Sequence, residues 1–195
     1  MAFTPARYAV IGEGIADAVL LPTLLRQALG DGPAYQVVSG LAELEQDAIL
    51  SLDKEASAVA YLVDGDDGGR AIMKKITSVG ISKDRIVILG GDSRSGVVPE
   101  DLVSRAAYAA AVNAELHRSY GSDTTWPESV VPDRSRPLAL LSWCKQQGLT
   151  PPNRAAVAAQ VVEAARRNTV IAPAHRATLR RTHAKLAAIL GLTST

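Results

Sequence analysis

The chain reads AVAYLV from Ala58 to Val63 and continues as DGDDGG from Asp64 to Gly69. The first six residues are apolar and partly β-branched, which predicts a short buried strand. The glycines allow a tight turn before a helix-like segment at 70–76. Asp64 and Asp66 therefore follow a strand, at the sheet edge where α/β folds bind ligands. Two carboxylates so close repel each other when ionised, and oxygen ligands of this kind suit Mg²⁺ or Mn²⁺.

A second acidic residue follows a second apolar strand. The strand YAVI at 8–11 is followed by Gly12-Glu13-Gly14, and residues 15–29 have the apolar spacing of a helix. Glu13 is therefore expected in a strand-to-helix turn, as Asp64 is. Asp17 lies one helical turn further on, near the N-terminus of that helix.

The order of predicted elements indicates the fold class. Strands are predicted at 7–12, 35–38, 58–63 and 85–89, and helices at 16–29, 42–54, 69–78 and near 99–118. Such alternation predicts an α/β fold with a Rossmann-like parallel sheet and helices on both faces. Residues 119–137 contain three prolines and read as a linker or an irregular loop, and further helices are predicted at 138–147, 151–167 and 174–190. We therefore predict a metal-binding domain at 1–118, a linker at 119–137 and a basic helical subdomain at 138–195.

Composition narrows the class of protein. The 195 residues are 47% hydrophobic, which is enough to bury a core. No run of eighteen apolar residues occurs, so no membrane span is predicted. The N-terminal residues lack a signal-peptide pattern. Cys144 is the only cysteine, which excludes an internal disulfide and a multi-cysteine zinc site. We expect a cytoplasmic protein with no membrane partner.

Charge is distributed unevenly along the chain. Residues 1–133 carry eleven Lys and Arg against nineteen Asp and Glu, a net charge of −8, whereas residues 134–195 carry ten basic residues and one acidic residue, a net charge of +9. Clustered carboxylates beside a basic tail suit a metal-dependent enzyme that acts on a polyanion. A solvated basic surface, or one that docks on an acidic partner, is the alternative.

Two common nucleotide-binding patterns do not fit. Gly12-x-Gly14 imitates a dinucleotide fingerprint, but Asp17 replaces its third glycine and Glu13 would bring negative charge to a pyrophosphate. No Gly-Lys-Ser/Thr sequence occurs, which argues against a phosphate-loop nucleotidase.

The motifs VIGEG at 10–14 and LVDGD at 62–66 resemble the Toprim domain. That family has a glutamate after its first strand and an Asp-x-Asp after its third, binds magnesium there, and acts on phosphodiester bonds. Within it, the run from Gly12 to Pro22 looks most like the nuclease region of OLD (overcoming lysogenization defect) ATPase-nucleases. The resemblance covers roughly residues 7–105 and implies a DNA-cleaving enzyme, with an ATPase domain or subunit as a further partner.

The same resemblance implies roles for individual residues. Glu13, Asp64 and Asp66 match the ligands of one metal ion, and Asp17 and Glu100 match those of a second. Two ions about 4 Å apart would hold the attacking and leaving oxygens of an in-line displacement. Family members also use a basic residue of the helical tail near the scissile phosphate, for which Lys185 is the candidate; the nucleic-acid contacts would come from Arg180, Arg181 and Lys185.

Other functions stay open from the sequence alone. A primase- or topoisomerase-like Toprim activity is one, although the chain lacks the cysteines of a zinc module and the length of a breakage-reunion region. A Toprim-like module that binds metal and nucleic acid without cutting is another. Asp64 and Asp66 could also be ordinary caps of a turn and a helix, and Asp17 a favourable charge at a helix N-terminus.

Overall fold

A computed structural model describes residues 8–45, 47–49, 51, 58–91 and 96–192 of the chain. Within these residues, four parallel strands form one sheet in the order β2-β1-β3-β4. They are β1 (Ala9–Ile11), β2 (Gln36–Val38), β3 (Val59–Val63) and β4 (Ile86–Ile88). The predicted α/β class with a parallel sheet is confirmed, and the strand order is compatible with a Rossmann-like fold.

Apart from the helical residues 47–49 and 51, the described part of the chain contains these α-helices: α1 (Ile15–Leu29), α2 (Asp67–Ser78), α3 (Arg105–Tyr120), α4 (Arg136–Gln146), α5 (Arg154–Ala165) and α6 (Arg176–Ile189). The helix predicted near 99–118 is divided: a 3-10 helix, Pro99–Leu102, comes first, and α3 begins only after Ser104, whose hydroxyl accepts the Ala107 N–H. Of the helix predicted at 42–54, residues 41–43 form a turn and 47–49 are helical, while the residues from 52 lie outside the described ranges.

Alternate residues of β3 pack into two different cores. Ala60 and Leu62 belong to a large apolar cluster with α1 and the C-terminal helices, whereas Val59, Tyr61 and Val63 belong to a smaller cluster on the α2 side. All five residues of β3 are buried. Successive side chains of a strand point to opposite faces of the sheet, and here both faces are buried. Helices therefore cover both sides of the sheet and form a layer on each.

The C-terminal helices share the larger of these cores. Val161 of α5 and Leu186 of α6 lie in the same cluster as Val10 of β1, so these helices pack on the sheet-and-α1 layer. The proline-rich segment before them is ordered around Trp126, which is 1% exposed and whose backbone N–H donates to the Asn113 side chain at 2.7 Å. No helix in the described ranges is long and apolar enough to cross a membrane.

The strand order fixes where a ligand could bind. The chain leaves β1 through α1 toward β2 on one side, and leaves β3 through α2 toward β4 on the other. Neighbouring strands β1 and β3 thus form a topological switch point, with a crevice outside their carboxyl ends. Glu13 and Asp64 follow these two strands.

Candidate functional site

Glu13 and Asp64 meet at the crevice between β1 and β3. The Glu13 Oε1 oxygen accepts a hydrogen bond from the backbone N–H of Asp64 at 2.6 Å. Because β1 and β3 are paired in parallel, their carboxyl ends lie side by side, which is why residues 51 positions apart in sequence come into contact. The sequence-based prediction that both follow strands at one sheet edge is confirmed by this contact.

Two glycines allow the close packing of backbone around these acids. A Cβ atom at Gly69 would overlap the carbonyl oxygen of Asp64, so only glycine lets the first turn of α2 lie against the end of β3. A Cβ at Gly12 would come within 2.9 Å of the Asp17 Cβ. Glycine is therefore needed at both positions because a side chain would not fit, and not because the backbone adopts an unusual φ angle.

Asp17 turns its side chain back across the start of α1. Its Oδ2 oxygen accepts the Gly14 N–H at 3.0 Å, and the residue is only 4% exposed. This is the capping role that a carboxylate in a first helical turn can perform. The same side chain lines a cleft of about 250 Å³ together with Glu13, Asp64 and Arg154, which we name the carboxylate cleft.

Glu100 reaches the acids because the loops that follow β3 and β4 are joined. The Gly65 N–H donates to Val97 O at 2.9 Å, and the Gly96 N–H donates back to Gly65 O at 2.7 Å. This pairing leads the chain into the 3-10 helix Pro99–Leu102, where Glu100 is 2% exposed.

Two buried ionic side chains fix that 3-10 helix in place. Asp101 accepts hydrogen bonds from the backbone N–H groups of Val98, Ser135 and Arg136. The Arg136 guanidinium donates to the carbonyl oxygens of Glu100, Val103 and Pro132. Asp101 and Arg136 therefore serve as structural supports for Glu100.

Arg154 is a cation that contacts Glu100, and its role was not identified from the sequence. Its Nε donates to Glu100 Oε1 at 2.7 Å, and its guanidinium also lines the carboxylate cleft. It occupies the first position of α5, just after the N-cap Asn153. A positive charge is unfavourable at a helix N-terminus, so an arginine there is a signal that an acidic partner compensates it.

Burial and mutual repulsion disfavour the ionised forms of these acids. Burial, and after it the charges of Asp17 and Glu13, raises the pKa of Asp64 to about 10. Burial also raises the pKa of Glu13 to about 7, although the hydrogen bond from the Asp64 N–H opposes that shift. The pKa values of Asp17 and Glu100 are raised by burial too, against the opposing charge of Arg154. The cluster thus holds protons near neutral pH, and a bound cation would compete with them.

The donor set is chemically suitable for a hard divalent cation, because every candidate ligand is a carboxylate oxygen. One of them, Glu100 Oε2, is buried and has no hydrogen-bond partner. Yet in the described part of the chain no three His, Cys, Asp or Glu side chains are positioned to hold a metal ion together. Glu13 and Asp17 each direct one oxygen to a backbone N–H. The metal site stays a prediction that requires these side chains to turn.

The remaining predicted site residues do not line the carboxylate cleft. The Asp66 carboxylate caps α2 by accepting the Gly69 N–H at 2.9 Å, although its charge still acts on Asp64. Arg181 and Lys185 line a small cavity beside Gly90 and Gly91, directly after β4. Arg180 behaves differently, because its Nε donates to Ala28 O at 2.9 Å, at the C-terminal end of α1. The nucleic-acid role of these three cations stays a prediction.

Comparisons of the chain with protein-family models, with curated proteins and with solved structures found no match. The function is therefore inferred from the geometry of the cleft itself.

Proposed function

We propose that this protein is a Toprim-type, Mg²⁺- or Mn²⁺-dependent nuclease that cleaves DNA phosphodiester bonds, similar to the nuclease region of OLD-family proteins. The observation that carries the proposal is the hydrogen bond between Glu13 and the Asp64 backbone at the β1/β3 switch point. In parallel α/β sheets this crevice is where ligands bind.

The chemistry of the cleft supports the proposal. Glu13, Asp17 and Asp64 line one cleft, and the charge of Glu100 acts on Asp64. Acids that repel one another in a partly buried site gain stability from a bound cation. Groups with strongly shifted pKa values in a cleft are also frequent at functional sites.

Each residue has a proposed part in the reaction. Glu13, Asp64 and Asp66 would hold one cation, and Asp17 and Glu100 would hold a second. Such ions, when bound, would neutralise charge on the phosphate and activate a water molecule. Arg154 donates to Glu100 and exposes about half of its side chain, 54%, so it can also attract a phosphate. In the tail, the proposed contacts to the phosphate backbone of the DNA are made by Lys185, Arg180 and Arg181.

Plasmid nicking with Mg²⁺ and with Mn²⁺ tests the proposal. Glu13→Gln keeps an oxygen that accepts the Asp64 N–H and removes the charge, so it should abolish nicking without unfolding the protein. Asp64→Asn should do the same. Asp123→Asn is the matched control, because Asp123 is an exposed loop residue and should retain full activity. Wild-type protein that cuts under neither metal would refute the proposal.

Asp17→Asn and Glu100→Gln separate a one-metal from a two-metal site. If both variants retain full nicking activity while Glu13→Gln is inactive, a single cation suffices. For either variant we expect the rate to fall at least tenfold, because the lost carboxylate no longer holds a cation. Such a fall corresponds to at least about 1.4 kcal/mol of lost transition-state stabilisation.

A non-catalytic module that binds metal and nucleic acid is the second candidate. It is favoured by one observation: three of the proposed ligands, Glu13, Asp17 and Asp66, already use an oxygen on backbone N–H groups. In that case metal would stabilise the protein and DNA would bind, but no plasmid would be nicked.

A further inference from the structure

An apolar cavity of about 250 Å³ lies next to the carboxylate cleft. It is formed between α4, α5 and the loop that joins them, and its walls include Leu138, Leu141, Pro151 and Pro152. Leu138 is 65% exposed and Leu141 50% exposed, which places both among the most exposed large apolar residues of the described chain. Exposed apolar side chains around one concavity gain free energy when a ligand covers them.

Two polar side chains connect this cavity to the acids. Arg154 lines both the apolar cavity and the carboxylate cleft, so this residue forms part of both walls. Glu100 lines the apolar cavity, and its Oε2 oxygen is buried without a partner. A buried carboxylate oxygen left without a partner is costly. The second cation proposed above would satisfy it when metal is bound, and an N–H group supplied by a ligand would do so in the metal-free protein.

The combination defines the chemistry of the occupant. The ligand must have an apolar face for the leucine and proline walls, an N–H donor for Glu100, and an adjoining negative charge for Arg154. The volume is below the range of drug-sized pockets and suits one small ring system. A nucleobase attached to a phosphodiester satisfies all three requirements, because every base has a π-face and at least one N–H donor in the unpaired state.

We propose that the apolar cavity receives one unpaired base of the DNA, with Arg154 contacting the adjoining phosphate at the entrance to the carboxylate cleft. The proposal rests on the nuclease function proposed above and adds its substrate class: single-stranded DNA, or duplex that is locally opened. A base inside a duplex is stacked and paired, so it enters such a cavity only after it is unstacked at a cost in free energy.

Binding without cleavage tests the cavity directly. Fluorescence anisotropy, with chelator present, compares the full-length protein on a labelled single strand, on the corresponding duplex, and on an abasic strand of equal length that keeps every phosphate. Wild type should bind the normal strand most tightly. The double variant Leu138→Ser/Leu141→Ser should lose about tenfold affinity for it, the factor that 1.4 kcal/mol represents, and should bind the abasic strand as wild type does.

A substitution outside the cavity serves as the control, and the abasic strand separates base binding from phosphate binding. Val130→Ser removes another apolar side chain that is 53% exposed, outside the cavity, and should bind all three ligands as wild type does. Because the abasic strand changes only the ligand, a wild type that binds normal and abasic strands equally overturns the proposal whatever the variants do. A double variant that keeps the wild-type ratio between these strands overturns it as well.

Two further outcomes distinguish this proposal from others. Cavity-dependent binding by a protein that nicks no DNA supports the base-binding cavity and refutes the nuclease function alone. If wild type dimerises in size-exclusion chromatography, and the double variant is monomeric with unchanged DNA binding, the cavity is an interface between copies and the proposal is overturned.

Discussion

Replacing Asp64 by Asn should stabilise the protein, and the gain should grow with pH. Asp64 is 7% exposed, and burial with the nearby charges of Asp17 and Glu13 raises its pKa from an ordinary 3.8 to about 10. Below about pH 4 the carboxyl is protonated in the folded and the unfolded chain alike. Between that pH and about pH 10, only the unfolded chain releases the proton, so the stability of the wild type falls as pH rises.

The magnitude follows from the size of the shift. Each pH unit within this window costs the folded wild type about 1.4 kcal/mol. From the ordinary pKa to pH 7 the loss reaches about 4 kcal/mol as an upper value, because neighbouring acids readjust their own protonation. Asn is neutral at every pH and has nearly the same shape. Asp64→Asn should therefore match the wild type near pH 4 and exceed it by about 2–4 kcal/mol at neutral pH.

Urea unfolding followed by circular dichroism, with chelator present, measures this difference at several values from about pH 4 to about pH 8. Asp123→Asn, an exposed-loop substitution of the same chemistry, should show no pH-dependent gain. Equal stabilities of Asp64→Asn and wild type across that range would refute the conclusion that the folded protein raises the pKa of Asp64.

Three further predictions follow from the cleft and its surroundings. Mn²⁺ or Mg²⁺ should raise the thermal midpoint of the wild type more at pH 8 than at pH 6, because Glu13, whose pKa is raised to about 7, must lose its proton to bind a cation; an equal shift at both values contradicts this. Gly69→Ala should lower stability by about 2 kcal/mol or more, measured by urea unfolding, because its Cβ overlaps the carbonyl oxygen after β3. Arg181→Ala and Lys185→Ala should weaken DNA binding and reduce its dependence on salt, whereas Lys83→Ala, just before the amino end of β4, should change neither.

Local sequence determined much of the sheet and the positions of its acids. The apolar runs at 58–63 and 8–11 predicted β3 and β1, and a carboxylate directly after a strand has only one edge of a parallel sheet on which to lie. The contact between Glu13 and Asp64 follows from that rule. Short-range patterns of this kind act within a few residues and are visible without any tertiary information.

The sequence could not reveal the contacts made across long separations. Arg154 meets Glu100 across 54 residues, and which face of α5 turns toward the acids is decided by how α5 packs on α1 and α3. The role of Asp66 stayed open between two alternatives for a different reason. An aspartate before a helix can cap it or hold a cation, and the two uses have the same sequence pattern.

The position of Arg154 has a consequence for dissecting the protein. A fragment ending at residue 118 would retain Glu13, Asp17, Asp64 and Glu100 but lose the guanidinium that offsets their charge. It would also uncover the apolar side of α1 on which α5 and α6 pack. The acidic and basic halves of the chain are thus interdependent, because the tail supplies a cation to the site that the sheet assembles. A chimera that joins this sheet to an unrelated tail would have to supply an equivalent cation.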